Sequence, residues 1–475
     1  MGEEREKGEK QQMNNKNAWL TGNADMEAVE SFSRSYRIFL DEGKTERECV
    51  TKSIQLAEEK GFVNLQAIIG NSKSLKPGDR VYYNHMGKAL LLFIIGNDLM
   101  EKGMNILGAH IDSPRIDIKQ NPVYEDNGLC YLDTHYYGGI KKYQWLSIPL
   151  ALHGIVVLKN GGKINIVIGE KDDDPVFCIT DLLPHLAREQ MEKAASKLIE
   201  GESLNLLIGS RPEETEEKEA VRNAILKILM NQYGMDDDDF LSSELEIVPA
   251  GLAKDMGIDR SMILAYGHDD RSCAFPSMMA MLYFEGIPKY TLCCVLTDKE
   301  EIGSVGATGM GSRFFENVTA EVMNAAGQYS ELSLRRALAN SRMLSSDVSA
   351  AFDPNFSSAF EPKNSAHLGH GICFNKYTGS RGKSGSNDAN AEFIAEIRQI
   401  MGEADVTFQM SELGKVDQGG GGTIAYLCAK YGMNVIDCGI PVLSMHAPWE
   451  VISKIDLWEG FRCYQAFLEK AHPLF

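Results

Sequence analysis

Five short segments of this chain carry side chains able to bind a metal or move a proton, and their order says more than any one of them. The segment GAHIDSPR closes an apolar run with His110 and Asp112. At a strand's carboxyl end the imidazole would face the crevice where open α/β sheets bind ligands, with the carboxylate orienting its ring. AYGHDDRSCAF places Asp269 and Asp270 just before a helical pattern, a pair whose commoner explanation, taken alone, is simple helix capping. LCCVLTDKEEIGSVGATG runs from an apolar strand into Glu300 and Glu301. Two adjacent carboxylates delivered into a crevice are costly unless a metal or a proton neutralises one, so one would ligate while the other moves protons. Asp347 in MLSSDVSAAFDP and His446 in PVLSMHAPWE complete the series. In chain order, His110, Asp270, Glu301, Asp347 and His446 suit a pair of zinc-like ions roughly 3.5 to 4 Å apart that share one carboxylate.

Such a set needs a scaffold that gathers distant segments. Short apolar runs at 89–95, 106–111, 262–266, 292–297 and 435–438 read as buried strands, and they alternate with helical patterns at 273–285, 387–401 and 423–431. That alternation predicts an α/β sheet covered by helices. Two helices are expected over 25–61, where Thr45 and Glu48 form a capping box and Gly61 stands at a helix stop. The stretch 121–249 differs, with hairpin-like strands at 155–158 and 164–168 joined by NGGK, then a helix and the acidic loops RPEETEEKE and MDDDD. It reads as an insertion.

Composition sets the outer limits. At 475 residues, 44% hydrophobic and 24% charged, the chain can bury a large core of about three domain-sized units. A net charge of −19 opposes binding to nucleic acid or an anionic membrane. Residues 1–16 are polar, lack the apolar core of a secretory signal and read as a disordered tail, and no apolar run could span a bilayer. Ten cysteines without a CxxC pair fit reduced core residues in a cytoplasmic protein.

The ordered set of motifs resembles the aspartyl aminopeptidase family of di-zinc metallopeptidases, in its bacterial branch, over essentially the whole chain after the tail. The resemblance implies a mixed sheet sandwiched by helices, of di-zinc exopeptidase type, formed by 17–120 and 250–475, with 121–249 inserted as a β-rich dimerisation domain. It implies two divalent ions per subunit, zinc foremost with cobalt or manganese also accepted. His110, Asp270, Glu301, Asp347 and His446 would be the ligands, with Asp270, three residues after Gly267, as the bridge. Asp112 would orient His110. Glu300 would be the general base that takes a proton from water and returns it to the leaving amine. Peptides with a free N-terminus are then the substrates, acidic first residues among them, and the chain would self-associate, as a homododecamer.

Two further residues follow from the same resemblance. LLPHLAR is similar to the segment whose His enters a neighbouring subunit's active site, here His185, and GICFNKYTG is similar to the one carrying a substrate-pocket Lys, here Lys376. Eukaryotic members carry a His three residues after Asp347 where this chain has Ala350, so the charge that reads an acidic side chain would rest on Lys376 or on Arg381 and Lys383 of SRGKSGSND. The competing readings are a broader or deacylating di-zinc hydrolase and a catalytically silent peptide-binding assembly. The GGGGT loop before the 423–431 pattern lacks the lysine and spacing of a nucleotide site.

Overall fold

A computed structural model of the chain describes residues 16–22, 24–214 and 218–472, so most of the expected N-terminal tail lies outside the described residues. The chain divides into two compact units. The first comprises the chain up to Asp112, Ala253–Met445 and the part from Glu450 on; the second comprises Ser113–Leu252 and His446–Trp449.

The first unit is built on a nine-stranded mixed sheet. Its order is Val63–Asn64, Arg80–His85, Ala89–Ile94, Thr291–Thr297, Met104–His110, Arg342–Ser345, Asn434–Gly439, Ile372–Asn375 and Phe408–Ser411. Thr291–Thr297, Met104–His110, Arg342–Ser345 and Asn434–Gly439 are parallel neighbours, which gathers their carboxyl ends along one edge. The strands expected at 89–95, 106–111, 292–297 and 435–438 are present in this sheet, and its two covered faces explain why they read as unbroken apolar runs. Along Ala89–Ile94 every residue is buried, with Leu90, Leu92 and Ile94 in one core and Ala89, Leu91 and Phe93 in the other. The first core is closed by helices Met26–Glu42, His268–Leu282, Ala391–Glu403 and Lys454–Lys470, the second by Phe314–Ala325 and Glu331–Ala339. Each fully buried Leu or Phe in these layers contributes about 2 to 3 kcal/mol over its exposed state.

Local signals work as expected at the start of the chain. Asp25 caps Met26–Glu42 by accepting from the Glu27 N–H, and Thr45 with Glu48 closes the capping box of Glu46–Glu59. A smaller five-stranded sheet in this unit includes Met262–Ala265, Glu450–Ser453, Pro441–Leu443 and Ser349–Ala350. The second unit is a six-stranded antiparallel sheet in which Leu150–Val157 and Lys163–Ile168 form the expected hairpin, and Ala220–Tyr233 is the longest of the helices described in this unit.

Candidate metal centre and active site

His110 is the last residue of the Met104–His110 strand and is buried. Its Nδ1 lies 3.0 Å from the Asp112 carbonyl oxygen and donates to it, which makes Nε2 the nitrogen that would ligate a metal. Asp112 is fully buried, and its two carboxylate oxygens accept the N–H groups of Glu300 and Glu301 at 3.1 and 3.2 Å. One residue therefore fixes both the imidazole and the turn that carries the acidic pair. That turn follows Thr297, the end of the adjacent parallel strand, and it bends sharply through Lys299 (φ 65°) and Gly303 (φ 91°). Asp298 is held behind it by Thr308 Oγ1 at 2.6 Å and Lys299 Nζ at 3.1 Å.

Gly267, in the left-handed region at φ 76°, turns the chain into His268–Leu282. The two aspartates that follow have different surroundings. Asp270 Oδ2 accepts the backbone N–H of His110 at 3.3 Å, so this carboxylate supports the strand end. Asp269 Oδ1 lies 3.2 Å from His110 Nε2, and its N–H is held by Glu450 at 3.0 Å. Donor atoms of His110, Asp269 and Asp347 lie within 4.8 Å of one another, and Asp269 and Glu301 offer oxygens equally close. The structure thus brings Asp269, rather than the expected Asp270, between the two sets of ligand types. Counting residues from Gly267 could not separate them, because Asp269 (φ −79°, ψ 106°) and Asp270 (φ −116°, ψ 27°) both depart from helical backbone, so helical spacing does not say which carboxylate meets the other ligand types.

Asp347 follows the Arg342–Ser345 strand. A Cβ on Gly439, in the neighbouring strand, would overlap the Asp347 carbonyl, so the absence of a side chain at 439 lets the two segments touch. Ser349 is tied down by Asn375 Nδ2 at 2.6 Å, which sets Lys376, the next residue, beside the segment carrying Asp347. Asp437 is buried in the same sheet, where Thr423 Oγ1 donates to it at 2.5 Å. Sequence patterns gave no sign of Gly439, Asn375 or Asp437, since each acts through register between strands far apart in the chain. Glu300 Oε2 stands 4.0 Å from His110 Nε2, within reach of one intervening water. His446 and His185 fall in the second unit. His446 Nδ1 donates to the Gly139 carbonyl at 3.0 Å, and His185 sits exposed in a turn.

The electrostatics of the centre call for a cation. Burial pushes the Asp347 carboxyl well above its ordinary range, with Asp270 and then Glu300 and Asp269 adding repulsion. Burial likewise raises Asp270 despite the nearby His110. For His110 burial opposes the charged ring, yet hydrogen bonding to Asp112 and Asp269 outweighs it and raises the imidazole well above its usual value. A buried imidazole whose Nε2, once its proton is displaced, would ligate beside clustered carboxylates is the donor chemistry of zinc, and a divalent ion would allow those carboxylates to stay ionised. An imidazole and carboxylates gathered in this way beside the carboxyl ends of parallel strands in a mixed α/β fold are the marks of a metal-dependent hydrolase.

Comparison with known proteins narrows the class. A family signature described as aminopeptidase I zinc metalloprotease (M18) matches residues 39–468. A Clostridium acetobutylicum protein named "Probable M18 family aminopeptidase 1" is 57% identical over 455 residues, covering 95% of this chain and 98% of the relative. An M18 aminopeptidase crystal structure from Thermotoga maritima superposes with a TM-score of 0.92 at 43% identity, over 97% of this chain and 100% of that one. Aminopeptidase I from Clostridium acetobutylicum gives 0.89 at 55% identity, over 95% and 98%. The chain belongs to the M18 family of zinc aminopeptidases. It is a metal-dependent enzyme of N-terminal peptide hydrolysis.

Proposed function

We propose that the centre removes single residues from free N-termini with Glu300 as the general base and two divalent ions as its cofactor. His110, Asp269 and Asp347 would hold one ion, and Asp269, Glu301 and His446 the other, so the bridging role passes from Asp270 to Asp269. Zinc fits this mixture of imidazole and carboxylate, and cobalt or manganese would be accepted by the same ligands. When bound, such ions supply Lewis acidity and lower the pKa of water. The protein's part is to orient and to move protons. Asp112 holds the Glu300 turn by two N–H bonds while Glu300 takes a proton from the attacking water and returns it to the departing amine. Lys376 would face the side chain of the first substrate residue, an acidic one included.

The observation that carries this reading is the shared anchoring of His110 and the Glu300–Glu301 turn by Asp112. The test is Glu300→Gln, assayed on a panel of acidic, basic and apolar aminoacyl substrates with and without chelation and metal restoration. Turnover should vanish while bound metal, measured by elemental analysis, stays at the wild-type level. Retained turnover would refute the role of Glu300, and preferential cleavage of N-acyl amino acids would move the assignment to a deacylase.

Self-association through the second unit belongs to the same proposal, as a homododecamer in which His185 reaches a neighbour's centre. Leu182, Leu183, Leu186 and Met191, around His185, are 53, 50, 68 and 73% exposed in a single protomer, and a dodecamer has been solved for a fold neighbour, mApe1 of S. cerevisiae. A fully active monomer would contradict it. The setting we propose is cytoplasmic, which suits ten free cysteines. No helix among the described residues is long and apolar enough to cross a membrane, and the charge of −19 makes nucleic acid an unsuitable partner.

A further inference from the structure

Lys376 begins a loop that returns on itself. Its carbonyl accepts the N–H of Ala389 at 2.9 Å, Ser386 Oγ accepts the N–H of Thr378 at 2.8 Å, and Ser380 bridges Ser384. The closure brings one carboxylate, Asp388, to two ammonium groups. Lys383 Nζ lies 2.9 Å from Asp388 Oδ2, whereas Lys376 Nζ lies 3.7 Å from Oδ1. Lys383 also sits over the Tyr377 ring at 3.9 Å from its centre, which holds it in place. The neighbouring acid, Glu412, is taken up by the Tyr377 hydroxyl at 2.5 Å.

We propose that Asp388 is a specificity-determining positioning residue, an internal carboxylate that competes with an acidic substrate side chain for Lys376 and whose grip on Lys376 is relaxed by Lys383. This rests on the reading of Lys376 as a pocket residue. The geometry gives the direction of each effect. Lys383 takes the shorter contact, so the ammonium of Lys376 is only loosely held and can turn to an incoming carboxylate. Hydrogen bonding from Lys383 foremost, then the charge of both lysines, keeps Asp388 ionised and below its ordinary carboxyl range. With Lys383 removed, Asp388 would have Lys376 as its remaining lysine partner and would hold it against the substrate. With Asp388 neutral, Lys376 would be released. All three side chains are between 40 and 49% exposed, so the effects are those of solvent-screened pairs, about two- to five-fold.

The experiment measures kcat/KM for two substrates that differ only in charge, N-terminal glutamyl and glutaminyl peptides, and follows their ratio. Asp388→Asn should raise the Glu/Gln ratio about two- to five-fold and Lys383→Met should lower it by a similar factor, both effects shrinking at high salt. A merely structural role for the loop would move both substrates together and leave the ratio alone. Lys376→Met should lower the ratio and abolish its response to Asp388→Asn in the double variant. Should Lys376→Met lower the ratio while Asp388→Asn and Lys383→Met shift it in one common direction or not at all, the competition is refuted and the pocket reading stands. Should Lys376→Met leave the ratio unchanged, the pocket reading itself falls, and this inference with it.

Discussion

Replacing Asp112 by Asn is the sharpest probe of how the centre is held. The substitution keeps the volume of a fully buried side chain but turns one carboxylate oxygen into an NH2 group. Both original oxygens accept, one from the Glu300 N–H at 3.1 Å and one from the Glu301 N–H at 3.2 Å, so an amide must set donor against donor at one of them. An unsatisfied buried N–H costs about 1 to 3 kcal/mol. The same change removes the negative charge 3.3 Å from His110 Nδ1, and loss of such a support around a metal-binding His costs about 10- to 100-fold in affinity or activity. At about 1.4 kcal/mol per tenfold that is about 1.4 to 2.8 kcal/mol, in the range of the hydrogen-bond estimate. Asp112→Asn should therefore lower kcat/KM by about 10- to 100-fold, mainly in kcat because the displaced turn carries the base, and should raise the free-zinc concentration giving half activity by a similar factor. A variant within two-fold of wild type in both quantities would refute the idea that one carboxylate anchors ligand and base together.

The two adjacent aspartates should separate cleanly. Asp269→Asn should lose bound metal at zinc levels that saturate the wild type, while Asp270→Asn, whose contact is the His110 N–H at 3.3 Å, should keep it and lose no more than about tenfold in turnover; elemental analysis after dialysis would expose the reverse ranking. Gly439→Ala must displace the Asp347 carbonyl, so metal content and turnover should both fall in a protein whose circular dichroism is unchanged, and a fully active Ala variant would deny the contact. Burial, with Glu300 nearby, pushes the Asp437 carboxyl up to about 7 against the opposing hydrogen bond from Thr423. Between about pH 4 and 7 the folded chelated protein then holds a proton that the unfolded chain releases. Its stability should fall with rising pH by up to about 1.4 kcal/mol per unit relative to Asp437→Asn, and parallel urea-unfolding curves for the two proteins would contradict this.

The legibility of this molecule follows from where its information is stored. Strands such as Ala89–Ile94 and Thr291–Thr297 were readable because burial on both faces forces an unbroken apolar run, and the 45–48 capping box because its two bonds are local. Strand order was not, since periodicity says which residues are buried and nothing about which strand lies alongside. The pattern at 423–431 shrank to Ala425–Ala429, where the preceding glycines and the nearby Gly432 leave little to propagate a helix. The choice between Asp269 and Asp270 turns on two backbone torsions, and Gly439 and Asp437 matter only through register across the sheet. Spacing in sequence carries none of these.

The arrangement around Asp112 also bears on how any set of variants here should be read. His110 ends one strand, Glu300 follows the next, and a single carboxylate joins them through three short contacts, so no one of the three can relax without moving another. Effects at residues that share a partner do not add. Once Glu300 is replaced by Gln, the part of the Asp112→Asn loss that acts by misplacing the base has no activity left to remove. The part that acts through His110 persists, because metal occupancy does not depend on proton transfer. The double variant should accordingly turn over no slower than Glu300→Gln beyond what its lowered metal content accounts for. If the two losses multiplied in full at saturating zinc, Asp112 would be acting on the reaction by a route other than the turn it holds.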